Sequence, residues 1–357
     1  MDGELSAEDS LRLNVLMAQD LKAVRIDEGN LTLHALTPQG EASLPLHPNC
    51  REDRYLRLVR EFLSGHALGS PGGYPVHLTR WTRHGQLASP DLGKLLLTGE
   101  PEAVTAVVYA PGLTDEIAEY AWWAMPTIEN ARLMLRREAV AQGRMGKVLA
   151  NFLIEHLPFL QDEHLAIIDT VAVLLASGAV DAAGRETIWK WGKRANSHYV
   201  AFLEIAPQAL PSPRPARADL DRWQGPLTQW MADGNACAGL LLDTLSSQGQ
   251  TFLATFAEIF ERPETQEVVG RTLNATGRRF TAPAGTDMDQ AAQALAAALP
   301  ELAAEATAIV ALGQASEAIT APVFARSTAI GSLMRRKIEP LLAPLLHHAR
   351  VLLTPKD

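Results

Sequence analysis

The chain has 357 residues, of which 47% are hydrophobic and 20% charged, and its formal net charge is −9. That length holds two or three domains with well-buried cores, and the acidic balance argues against DNA as a partner. Its two cysteines, Cys50 and Cys237, lie far apart and outside any CxxC or Cys/His cluster, which argues against structural zinc and fits a reducing compartment. Near the start of the chain, Ser6-Ala7-Glu8-Asp9 resembles a capping box that opens a short helix through Met17. Residues 23–26, 31–36 and 41–46 then alternate apolar and polar. Glu28-Gly29-Asn30 and Thr37-Pro38-Gln39-Gly40 supply the turns, so a three-stranded antiparallel meander is predicted. Such a sheet needs a cover for its apolar face, and Tyr55–Leu63 is the candidate helix.

Residues 64–87 are rich in glycine and proline around Gly69 to Pro75, with a short helix expected at 77–83. Ser89-Pro90 is an N-cap followed by proline at the first helical position. Short helices are then predicted at 91–97, 101–109, 114–123, 127–137, 145–156, 161–176, 185–194 and 199–205. Their short loops suggest an α-solenoid-like stack, although no repeat period is found. Residues 206–225 carry Pro207, Pro211, Pro213 and Pro215 and read as a linker or an extended strap. Further helices are predicted at 226–245, 251–259, 263–274, 288–299, 302–313 and 322–353, the last with breaks at Pro340 and Pro344.

The expected fold is therefore mainly α, with a small N-terminal antiparallel β-meander, a central α-solenoid-like stack and a C-terminal helical bundle. The expected domains are 1–88, 89–206 and 226–357, with 207–225 as the Pro-rich linker. The acidic, polar N-terminal stretch is unlike a signal peptide. Pro300, Glu301 and Glu305 interrupt the Ala-rich run 291–311, so no membrane span is expected and a cytoplasmic location is.

No motif demands catalysis. Ser70 lacks the glycine two residues before it that a nucleophile elbow needs, and no Gly-Lys-Ser/Thr sequence makes the loop a P-loop. Gly69, Gly72 and Gly73 form at most a backbone anion nest; a tight chain crossing is the plainer reading. The pairs Glu155-His156, Glu163-His164 and His347-His348 do not share a helical face in metal-binding spacing, so neither a metal nor a cofactor is expected.

Two stretches interleave cations and aromatics: Arg80-Trp81-Thr82-Arg83-His84, and Trp189 to Arg194 with Trp191 at its centre. They fit stacking on single-stranded RNA, or indoles anchoring a core while basic stems reach water. Trp122 and Trp123 close one helix about 100° apart, so one is expected to fill the core and the other to sit near a second layer or a surface groove. Arg335, Arg336 and Lys337 form a basic helix face suited to an acidic partner. Cys50 lies beside Arg51, and Cys237 among small residues at a helix contact.

The words Ser64-Gly65-His66, Gly69-Ser70-Pro71-Gly72-Gly73-Tyr74-Pro75, Arg80-Trp81-Thr82-Arg83, Leu97 to Val104, Ala110 to Thr114 and Ala121 to Met134 resemble the sulfur-reduction protein DsrS family. That family is encoded with the reverse dissimilatory sulfite reductase system of sulfur-oxidising bacteria. The resemblance covers most of the chain before the Pro-rich segment. It implies a non-enzymatic accessory or regulatory protein of cytoplasmic sulfur oxidation, acting on a protein partner of that system, and brings no catalytic residues. Two alternatives stand beside it: an RNA-binding regulator using the Trp/Arg/Lys patches, and a binder of a sulfur oxyanion or other small ligand at Gly69, Ser70, Gly72, Gly73, Arg80 and His84.

Overall fold

The computed structural model describes residues 4–69, 89–326 and 331–353. Over these residues the protein is mainly helical, with a small N-terminal three-stranded antiparallel sheet. Helix α1 (Ala7–Met17) starts where Ser6 Oγ accepts the Asp9 N–H at 3.0 Å, as the capping box requires. Strands β1 (Ala23–Asp27), β2 (Thr32–Thr37) and β3 (Gly40–Pro45) follow in the order β1-β2-β3. Ala35 lies opposite Val24 and Ala42, and Leu33 opposite Ile26 and Leu44. These six residues therefore share one face of the sheet. The other face carries Arg25, His34 and Ser43, aligned across the three strands.

Helix α2 (Glu52–Leu68) covers the apolar face and is longer than predicted. Its buried Tyr55, Leu56, Val59 and Leu63 meet Leu13, Leu16 and Met17 of α1 and Val24, Leu33 and Ala35 of the sheet in one core. Each large apolar side chain buried there contributes roughly 1.5–3 kcal/mol. Asp9 is also buried in this core, and Tyr55 Oη donates to its carboxylate at 2.7 Å.

Six helices complete this part of the chain: α3 (Ser89–Leu95), α4 (Pro101–Tyr109), α5 (Asp115–Ala124), α6 (Ile128–Leu135), α7 (Glu138–Ala141) and α8 (Arg144–His156). Thr114 and Thr127 cap α5 and α6 through their side-chain oxygens, which sharpens the short loops between them. The Val24 N–H, at the free edge of β1, donates to the Leu96 carbonyl at 2.8 Å. That bond satisfies an edge donor and ties the sheet to the chain after α3.

The next helices are α9 (His164–Ser177), α10 (Ala182–Trp191) and α11 (Ser197–Ile205). Then come α12 (Leu220–Ala232), α13 (Ala236–Leu245), α14 (Ser247–Glu261) and α15 (Gln266–Phe280). The chain closes with α16 (Met288–Ala298), α17 (Ala303–Gly313), α18 (Ala321–Phe324) and α19 (Gly331–Leu352). Residues 226–245, expected as one helix, form two. Gly234 turns the chain at φ +90 and Asn235 caps α13, its Oδ1 accepting the Ala238 N–H at 3.0 Å. Conversely, α19 runs through Pro340 and Pro344 without the expected breaks. Both prolines are exposed, and Met334, Ile338, Leu342 and Leu345 anchor the helix on either side of them.

The chain packs as two compact units. The first comprises Met1–His156 with Ser177–Ala179, and the second Leu157–Ala176 with Val180–Asp357. Helices α3 to α8 thus share a unit with the sheet, and the Pro-rich residues 207–225 lie inside the second unit. There they form a strap. The Leu210 N–H donates to Gln248 Oε1 at 2.8 Å, the Arg214 N–H to Thr251 Oγ1 at 2.8 Å, and the Arg217 N–H to the Leu245 carbonyl at 2.9 Å. The Arg217 side chain is buried and ion-paired to Asp219 at 2.6 Å and Glu305 at 3.2 Å. Among the described residues no helix is long and apolar enough to cross a membrane.

Candidate functional site

The glycine-rich candidate falls largely outside the described residues. Ser70, Gly72, Gly73, Arg80, Trp81, Arg83 and His84 lie there, as does the helix expected at 77–83. Gly69 is described: it ends α2 in the left-handed conformation at φ +61, and its N–H donates to the Gly65 carbonyl. This is the usual glycine role at a helix C-terminus.

The two adjacent tryptophans do not divide between core and surface; both are half-buried. The core-facing positions of α5 are the fully buried Ala118 and Ala121, so the indoles lie on its flanks. Trp122 packs edge-on against Phe152 with centroids 4.7 Å apart, and Phe152 stacks on His156 at 3.9 Å. Trp123 lies under the Arg25 guanidinium at 4.7 Å, and its Nε1–H donates to Glu41 Oε2 at 3.1 Å. Arg25 and His34 also reach Glu41, at 3.2 and 2.8 Å. Trp123 is therefore engaged in clamping the polar face of the sheet to α5.

The second cation–aromatic stretch separates into two roles. Trp189 is 7% exposed and packs on Tyr199 and Phe202, with centroids 4.6 and 5.1 Å away. It is a core residue, unavailable for stacking on a ligand. Gly192 allows this packing, because a Cβ there would run into the Tyr199 ring. Trp191 is half-buried and lines a cleft of about 520 Å³. Arg335, Arg336 and Lys337 are exposed on α19; Arg335 also borders a second cleft with Arg262, Glu339 and Arg350.

The Trp191 cleft is built from segments distant in sequence. Leu157, Pro158, Gln161 and Asp162 come from the turn before α9; His164 and Ile167 come from α9; Arg194, Ala195 and His198 come from the junction of α10 and α11; Glu264 precedes α15. The turn is tight: Gln161 adopts φ +36, a left-handed conformation that a residue with a side chain rarely holds. Asn196 gives α11 no side-chain cap. Glu264 caps it from afar, Oε1 accepting the Asn196 N–H at 2.6 Å and Oε2 the Ser197 N–H at 3.3 Å. Asn196 in turn donates to the Arg262 carbonyl at 2.8 Å, holding the Glu264 segment in place.

His198 is 6% exposed. Burial pulls its pKa below the ordinary histidine value, against the raising effect of its hydrogen bond to the Ala195 carbonyl. That bond, 3.0 Å long, requires the proton on Nδ1, so in the neutral ring that burial favours Nε2 is the lone-pair acceptor. Burial pushes the Glu264 carboxyl above its usual range, opposed by the Asn196 and Ser197 amides and by His164. His164 Nδ1 meets Ser197 Oγ at 2.9 Å and Glu264 Oε2 at 3.5 Å. Both contacts use one nitrogen, and Ser197 is fully buried. A hydrolytic relay needs nucleophile and acid on opposite ring nitrogens, and these two contacts do not provide that geometry. Among the described residues no three His, Cys, Asp or Glu side chains are placed to hold a metal ion.

Of the residues lining this cleft, Trp191 and Arg194 belong to the cation–aromatic stretch evident in the sequence, and His164 to a Glu-His pair in poor metal-binding spacing. No local signal marked the other cleft residues: Asn196 and Ser197 are themselves preferred N-cap residues, and only the structure shows that the cap comes from Glu264. Compared with models of known protein families, with curated proteins and with solved structures, the chain matches none.

Proposed function

We propose that the protein is a non-enzymatic accessory protein that binds a small ligand in the Trp191 cleft. The observation that carries this reading is the cleft itself. Its volume of about 520 Å³ lies in the range of small-molecule sites. Its lining combines apolar Leu157 and Ile167 with an indole, two imidazoles, two carboxylates and a guanidinium. Binding of a small molecule is tested by labelling the protein with 5-fluorotryptophan and assigning the Trp191 resonance with Trp191→Phe. Metabolite pools fractionated from the host should shift that resonance; if no fraction moves it, the reading fails.

A second reading is a contact with an acidic protein partner, supported by the exposed Arg335, Arg336 and Lys337 on α19. The resemblance to the DsrS family supplies the setting for both readings, cytoplasmic sulfur oxidation. Affinity purification from sulfur-oxidising cells tests it. Sulfite-reductase-system proteins are expected with the native chain and are expected to be lost with Arg335→Glu/Arg336→Glu/Lys337→Glu. Recovery of a defined RNA instead would favour the RNA-binding alternative, whose second stretch retains Trp191 but not the buried Trp189.

A further inference from the structure

We propose that the ligand of the Trp191 cleft is a small organic cation, a protonated amine or quaternary ammonium with an apolar body, held between the Trp191 ring and the Glu264 carboxylate. The proposal rests on the ligand-binding reading above and names the chemistry of its ligand.

Charge is the first argument. Besides the imidazoles, the lining carries two carboxylates, Asp162 and Glu264, and one guanidinium, Arg194. Arg194 is exposed, whereas the Glu264 side chain is only 20% exposed. An ion entering the cleft thus leaves the positive group near water and approaches the negative one where screening is weaker.

The second argument concerns the start of α11. Free N–H groups at a helix N-terminus attract anions. Here the Asn196 and Ser197 N–H groups already donate to Glu264. An anion would have to displace a carboxylate of this chain to use them. A cation finds that carboxylate in place, with a further lone pair on each oxygen.

The third argument is what Glu264 lacks. Among the described residues its ion-pair partner is His164, at 3.5 Å, beyond the length of a strong charge-assisted hydrogen bond. Arg262 acts on it only at longer range. A buried carboxylate in this position is stabilised by an ammonium group at normal contact distance.

The remaining walls agree with a cation. Trp191 presents an indole, the ring that binds cations best. His198 packs edge-on beside it, the ring centroids 6.0 Å apart. Burial favours the neutral His198 ring, and with Nδ1–H on the Ala195 carbonyl that neutral ring offers Nε2 as an acceptor for an ammonium N–H. Leu157 and Ile167 take up the apolar body.

The test uses the full chain, titration calorimetry and the Trp191 fluorine resonance. The cationic probes are choline, benzyltrimethylammonium, tryptamine and spermidine. The controls are 3,3-dimethylbutan-1-ol, an uncharged isostere of choline, with inorganic sulfate and thiosulfate. At least one cation is expected to bind and shift Trp191, and the controls are not. Glu264→Gln is expected to weaken cation binding about tenfold, the loss of one charge-assisted contact. Arg194→Ala is expected to strengthen it a few-fold, since it removes a like charge from the rim. If Glu264→Gln does not fold, the sign of the Arg194→Ala effect decides. Binding by anions or the neutral isostere without the cations, or weakening by Arg194→Ala, overturns the cation proposal and leaves the cleft reading standing. If neither these probes nor host metabolites move Trp191, both are overturned.

Discussion

Trp122 and Trp123 are chain neighbours, yet each is held by a different partner, Phe152 for one and the Arg25–Glu41 pair for the other. Trp123→Ala removes both the ring under Arg25 and the donor to Glu41. With Arg25 and Glu41 each 38% exposed, solvent screening reduces the electrostatic part, and the expected loss is about 1–2 kcal/mol. Trp123→Phe should recover the ring contribution but not that of the hydrogen bond; urea unfolding of both variants separates the two. Tyr55→Phe acts differently, because it deprives a buried carboxylate of one of its donors. Burial raises the Asp9 pKa, but hydrogen bonds from Tyr55, Ser6 and His47 outweigh it and hold the group below the ordinary aspartate value. A loss of about 1–3 kcal/mol is expected. His198 gives a pH signature. Its folded-state pKa lies below the unfolded one, so the unfolded chain binds more protons. Stability from this group is complete above the unfolded pKa and is lost as the pH falls through it towards the folded value. Unfolding followed from neutral to acid pH should show a shallower fall for His198→Gln than for the native chain.

At the scale of elements, capping decides where helices begin. Ser6, Thr114, Thr127, Asp181, Asn235, Ser246, Thr265 and Asp287 all accept a first-turn N–H from their own helix. Such caps are local, and the starts at Ser6 and Asn235 show how little else is needed. The strap at 207–219 is the opposite case. Proline content makes it non-helical, but only its partners on α13, α14, α17 and α19 make it a packed strap rather than a free linker. Arg217 is its anchor, buried against Asp219, Glu305 and the Val351 carbonyl. Arg217→Ala leaves two carboxylates without their cation and should destabilise by about 3 kcal/mol. Arg217→Lys should not rescue it fully, because one ammonium cannot reproduce the forked contacts. Chemical denaturation of the two variants checks both statements.

For the whole molecule, the division into two compact units makes these substitutions local in effect. Hydrogen exchange is expected to show Tyr55→Phe loosening peptides of the first unit and Arg217→Ala those of the second. Protection lost equally in both units by either variant would overturn this. Much of the architecture was legible in the sequence by itself. Period-two alternation with turn residues specified the meander, period-3.6 runs and caps specified most helices, and the absence of a long apolar run left no membrane-spanning helix among the described residues. These are nearest-neighbour properties, set by sterics and by hydrogen bonds a few residues apart. The sequence did not show that Trp189 is core and Trp191 is cleft. It did not show that α19 continues through its prolines, or that Glu264 caps a helix that starts 67 residues before it. Those outcomes depend on which surfaces meet: on Tyr199 closing over Gly192, on anchors either side of Pro340, and on a carboxylate delivered by another part of the chain. Only the tertiary structure brings such groups together, because burial and electrostatics act through space and not along the chain.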